Sequence, residues 1–121
     1  MIKYFPDPEL ERKAKEISAV LGFRHDFSRV VFMRSTGSKS RYTLARCHAL
    51  SRVLQKALNV RAHYVIEVIS HNFDRLSEEE KTKTIIHELM HIPKSMGGGF
   101  RHHDYVCRRN VEQMYKKIKS P

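Results

Sequence analysis

The sequence predicts an α+β fold in a single domain: a small sheet, a central capped helix, and flanking N- and C-terminal helices. Three observations carry this. The run Tyr64 to Ser70, rich in β-branched residues, stops just before a Phe73-Asp74 turn and reads as a strand. A capped segment follows, beginning at Ser77 and stopped by Pro93. Apolar stripes at helical spacing lie near both ends of the chain. At 121 residues the chain suits one domain spanning 1–121, with one core and no room for a second.

Each element has its own local signal. Asp7-Pro8 is an N-cap followed by proline at the first helical position, with Glu9 and Glu11 in the first turn. Leu10, Ala14, Ile17 and Leu21 then recur at helical spacing, and Gly22 ends the helix. Arg29-Val30-Val31-Phe32-Met33 reads as a buried strand, and Thr36 to Ser40 as a loop. Thr43 to His48 alternates as a second strand should, while Leu50, Val53, Leu54, Ala57 and Leu58 fit a helix. Cys107, Val111, Met114 and Ile118 mark a C-terminal amphipathic helix, with Cys107 as a small core residue.

The segment between Ser77 and Pro93 holds the chemistry. Ser77 and Glu80 form a capping box, and Glu78, Glu79 and Glu80 place negative charge on the positive end of the helix dipole. Ile85, Ile86, Leu89 and Ile92 supply an apolar flank. His87-Glu88-Leu89-Met90-His91 reads H-E-x-x-H. Residues four apart stack on one helix face, so His87 and His91 can offer imidazole nitrogens to one ion. Glu88 flanks that pair, where a carboxylate can take a proton from a metal-activated water.

A catalytic zinc usually takes a third protein ligand. The spacing H-E-x-x-H-x-x-G-x-x-H fails, because Lys94 stands at the glycine position and Gly97 at the third histidine. Gly97-Gly98-Gly99 allows a sharp reversal that can return His102 or His103 to the metal. Asp104 is a further candidate ligand, although a cap of the last helix or a partner to a histidine suits it better. Glu112 competes as a glutamate on a later helix. Against these stands the plain alternative that His102-His103 is a solvated pair in a basic loop. Arg101 and Tyr105 are candidates to stabilise an oxyanion. Cys47-His48 resembles a metal or nucleophile pair, but adjacent residues diverge on any regular element.

The run from Tyr64-Val65-Ile66-Glu67-Val68-Ile69 through Phe73-Asp74-Arg75-Leu76-Ser77 to Ile86-His87-Glu88-Leu89-Met90-His91-Ile92-Pro93 resembles the metallopeptidases of archaea and phages. Those proteins carry an H-E-L-x-H-I-P core, a glycine-containing loop and a downstream histidine. The likeness covers roughly residues 44 to 105. More loosely, the chain is similar to SprT-like zincins. Family members often end the glycine loop with Arg-Pro-His, and the triplet here reads Arg101-His102-His103, which favours His103 as ligand. The resemblance implies a zincin-like domain and a zinc peptidase. One zinc ion per chain would be held by His87, His91 and His103, with Glu88 as catalytic base and a protein or peptide as substrate.

Composition bounds the rest. No apolar leader and no run of membrane-spanning length is present, so a cytoplasmic protein with no membrane partner is expected. Two cysteines are too few for a disulfide framework. The formal charge of +10 attracts polyanions regardless of fold, so non-specific nucleic acid contact is an expected property of the surface. That charge also supports a competing reading, a basic nucleic-acid-binding module with a closed structural zinc site.

Overall fold

Four strands, Lys3–Pro6 (β1), Val30–Thr36 (β2), Ala45–Ala49 (β3) and Tyr64–Ile69 (β4), form one mixed sheet in the order β1-β2-β4-β3. The helices are Pro8–Leu21 (α1), Arg52–Leu58 (α2), Ser70–Phe73 (α3), Glu78–His91 (α4) and Arg108–Lys119 (α5). The computed structural model describes residues 1–119; Ser120 and Pro121, the end of the expected 1–121 span, lie outside the described residues. The architecture is α+β, as the sequence predicts.

β4 is central, parallel to β2 and antiparallel to β3. Side chains alternate across a strand, so Val30 and Phe32 share one sheet face with Tyr64, Ile66, Val68 and the edge residues Ala45, Cys47 and Ala49. That face packs against α1 and α4, α5 packs on both of these helices, and the core lies between them. On the other face, Glu67 is buried and its carboxylate takes a 2.8 Å contact from His48 Nε2. His48 is therefore engaged away from the helices, and Cys47 and His48 do not share a site.

Local chemistry sets the helix ends. Asp7 Oδ1 accepts from the Leu10 amide at 3.0 Å, and Gly22 closes α1 at φ 75°, a left-handed conformation that glycine adopts without strain. Ser77 Oγ accepts from the Glu80 amide at 3.2 Å at the start of α4. Ile85, Ile86, Leu89 and Met90 on that helix are no more than 2% exposed. At roughly 1.5–3 kcal/mol for each buried side chain, this flank outweighs the solvent-screened surface pairs of Lys83 with Glu79 and Glu80. Burial, not surface charge, fixes α4 on the sheet.

Four expectations need correction. β1 was not expected: its residues are exposed and end in Pro6, a composition suited to a sheet edge. The strand at Arg29–Met33 is shifted: Phe27–Arg29 is a single 3-10 turn, and β2 runs on through Thr36, where a loop was expected. Thr43 to His48 is likewise displaced, with β3 at Ala45–Ala49. Cys107 precedes α5 and is half-buried, and Val106 holds the core position instead, with no exposure. No helix among the described residues is long and apolar enough to cross a membrane.

Candidate metal centre

His87 and His91 project from the last two turns of α4, and their Nε2 atoms face each other at 3.3 Å. Two zinc-bound imidazole nitrogens at about 2.0–2.1 Å from a tetrahedral ion would stand roughly 3.3–3.4 Å apart, so this pair already has the required bite. His103 completes the group, and the three available nitrogens lie within 4.8 Å of one another. The donor set, three imidazoles at the negative end of a helix dipole, suits a borderline-soft divalent cation such as zinc.

The glycine loop does what its sequence suggests, through specific bonds. Arg101 returns to the end of α4, where its amide donates to the His91 carbonyl at 2.8 Å. Its own carbonyl lies 2.8 Å from His91 Nδ1. A carbonyl can only accept, so Nδ1 carries the proton and Nε2 presents its lone pair toward His87 and His103. Tyr64, buried in the central strand, pins the loop from below. The Gly98 amide donates to its hydroxyl at 3.0 Å, and the hydroxyl donates to the Gly99 carbonyl at 2.8 Å. Gly98 has φ +103°, and a Cβ there would lie 2.7 Å from Gln55 Nε2. The left-handed φ favours glycine at this position, whereas the Gln55 side chain could shift to admit a Cβ.

Glu88 is 7% exposed, and burial pushes its carboxyl up to about 7. His87 moves the opposite way, down to about 4, because burial and then the neighbouring His91 and His103 disfavour its cation. It is therefore neutral at neutral pH, the form a metal requires. Cys47, on the edge strand, lines the same cleft, and burial with the Glu88 charge beside it pushes its thiol up to about 12. A thiol held protonated is a poor ligand and a poor nucleophile.

The remaining candidates separate cleanly. His102 lines the cleft but lies outside the three-histidine group. Asp104 is exposed and accepts from the amide of its neighbour Tyr105, four residues before α5 begins, so it does not cap that helix. Glu112 is paired with Lys83 at 2.9 Å. Arg101 lines the cleft, whereas Tyr105 lies in a different one, stacked under the Arg101 guanidinium at 3.6 Å. Two contributors went unread in the sequence. Tyr64 looks like an ordinary strand residue, and Phe100, within 6.4 Å of the His91 ring, looks like loop.

His87 and Glu88 line two adjoining clefts, of about 360 and 570 Å³, that meet at Ala45 on β3. β3 is an edge strand, and which of its groups face outward follows from two bonds. The Ile69 amide donates to Leu44 and the Leu50 amide to His63, so even-numbered residues of this register bond to β4. Ala45, Cys47 and Ala49 therefore turn their amides and carbonyls to the open edge.

Two imidazoles and a buried carboxylate from one helix, with a third imidazole returned by the glycine loop beside an open strand edge, form a candidate metal site in an α+β domain. A family model described as "Putative phage metallopeptidase" matches residues 2–119, and the chain belongs to that family. No curated protein and no solved structure matches the chain significantly.

Proposed function

We propose that this protein is a zinc-dependent peptidase in which His87, His91 and His103 hold one zinc ion and Glu88 is the general base. The observation that carries this is the 3.3 Å approach of the His87 and His91 nitrogens, with Glu88 buried between them in sequence and His103 returned to the same point. Zinc bound there supplies Lewis acidity toward a scissile carbonyl and lowers the pKa of a coordinated water. Glu88 accepts the proton of the attacking water and passes it to the leaving amine, a role suited to a carboxyl raised toward neutrality.

The substrate is an extended protein or peptide segment. It pairs with the outward amides and carbonyls of Ala45 and Cys47, adding a strand to the sheet beside the metal group. A structural zinc site would be closed by four protein ligands, whereas three candidates converge here, which supports the peptidase over a basic binding module. Nucleic acid is then an accessory partner of a surface whose formal charge is +10.

The test is Glu88→Ala assayed on an unfolded protein. Zinc content should stay at that of the unmutated chain while turnover falls by about 10²–10⁴-fold, the usual worth of a general base. Retained turnover in this variant would refute the mechanism.

A further inference from the structure

A cleft of about 410 Å³ opens behind the metal helix, walled by Leu89, Met90 and Ile92 rather than by the metal-facing residues. Its rim carries Arg24, Lys94 and Arg101, contributed by three separate segments of the chain. None of the three makes an ion pair among the described residues, and no carboxylate lines this cleft. Several cations elsewhere are neutralised: Arg34 lies between Asp7 and Asp74, Arg29 meets Asp26, and Lys83 bridges Glu79 and Glu112. Four other clefts of the described residues each contain at least one carboxylate.

The Arg101 guanidinium carbon lies 3.6 Å from the centre of the Tyr105 ring, within stacking distance. Stacking uses the face of the guanidinium and leaves its N–H edges free to donate in plane, the geometry that suits an oxyanion. His25 forms the inner wall. Its Nε2 donates to the Leu89 carbonyl at 2.9 Å, and its Nδ1 is buried without a partner among the described residues, so the ring offers no charge to offset the cations. Three unpaired cationic residues line this one concavity with no acid among the lining residues to offset them, an arrangement that an anion would relieve. A tetrahedral oxyanion can offer a separate oxygen to each.

We propose that this cleft is a phosphate-class oxyanion site, with Arg24, Lys94 and Arg101 as its donors. The phosphate group could be free or part of a nucleic acid backbone, and these share the same recognition chemistry. The proposal is independent of zinc and of peptidase activity.

The experiment uses the full chain, R24E/K94E, and K116E/K117E, which carries the same charge change on α5. Each is titrated calorimetrically with inorganic phosphate and by anisotropy with a short single-stranded oligodeoxynucleotide, after melting curves verify folding. R24E/K94E should weaken binding at least about tenfold and K116E/K117E by less than about threefold. That pattern with phosphate assigns the free ion. The same pattern with the oligonucleotide alone assigns the phosphodiester. Equal losses in both variants would reduce the effect to overall charge, and undiminished binding in R24E/K94E would place the anion elsewhere, as at the metal; either overturns the proposal. If charge reversal prevents folding, R24Q/K94Q makes the same comparison.

Discussion

His25 Nε2 lies 2.9 Å from the carbonyl oxygen of Leu89, the one group in the metal helix whose normal donor four residues on is a proline. Pro93 has no amide hydrogen, so the Leu89 carbonyl would keep only the 3.2 Å bond from Ile92. A histidine 64 residues upstream fills the gap. The same proline that stops the helix after His91 thus creates a vacancy that fastens it to the segment after α1.

This bond has a consequence for pH. Burial is the main cause that lowers the His25 pKa from its ordinary 6.5, and the Leu89 bond, the smaller cause, opposes it. The unfolded chain therefore binds this proton more readily than the native one, so native stability is full above pH 6.5 and declines as pH falls toward the lowered value. His25→Gln keeps a donor without a titration, and its melting temperature should fall less steeply below pH 6.5 than that of the unmutated chain. His25→Phe should lose about 1 kcal/mol above pH 6.5, a deficit that narrows as pH falls because the variant has no such titration. Parallel acid-side slopes in chemical denaturation would contradict the assignment.

Much of this could be read from the residues, for identifiable reasons. The metal helix announced itself because its cap, its apolar flank and its stop are all local, and α1 did so through Asp7-Pro8 and Gly22. β4 was legible because its β-branched run, broken only by Glu67, stops just before a turn. β1 was not, because an exposed edge strand needs no apolar pattern. The sheet order was equally hidden, since β2 and β4 pair in parallel across some thirty intervening residues and nothing local records a distant partner. His25 and Tyr64 belong to the same class. Their partners, Leu89 and Gly98, are far along the chain, and the reason for each bond appears only once the elements are packed.

The Tyr64 hydroxyl bridges the Gly98 amide and the Gly99 carbonyl, so the loop that returns His103 is tied to the central strand. Tyr64→Phe should cost about 1–2 kcal/mol in urea unfolding and weaken metal binding by holding His103 less firmly. Gly98→Ala should do both more strongly, because it adds a left-handed strain to the contact with Gln55. Unchanged metal affinity in both variants would mean the loop bonds have no part in placing the histidine.

The open edge of β3 can be probed with proline. Ala45 turns its amide outward, so Ala45→Pro leaves the ladder to β4 intact while removing a donor beside Glu88. Turnover efficiency on a peptide should fall at least about tenfold with stability within about 1 kcal/mol. Arg46 bonds inward in the same register, and Arg46→Pro should instead destabilise the fold by about 3 kcal/mol or more. Full activity in Ala45→Pro would exclude strand pairing as the mode of substrate binding.

The most direct measurement is zinc stoichiometry, by elemental analysis after chelator treatment and zinc addition, on the unmutated chain, His103→Ala and His102→Ala. The account predicts about one equivalent for the unmutated chain and for His102→Ala, and binding at least about tenfold weaker for His103→Ala. Zinc below about a tenth of an equivalent in the unmutated chain, or loss in His102→Ala with retention in His103→Ala, would contradict it.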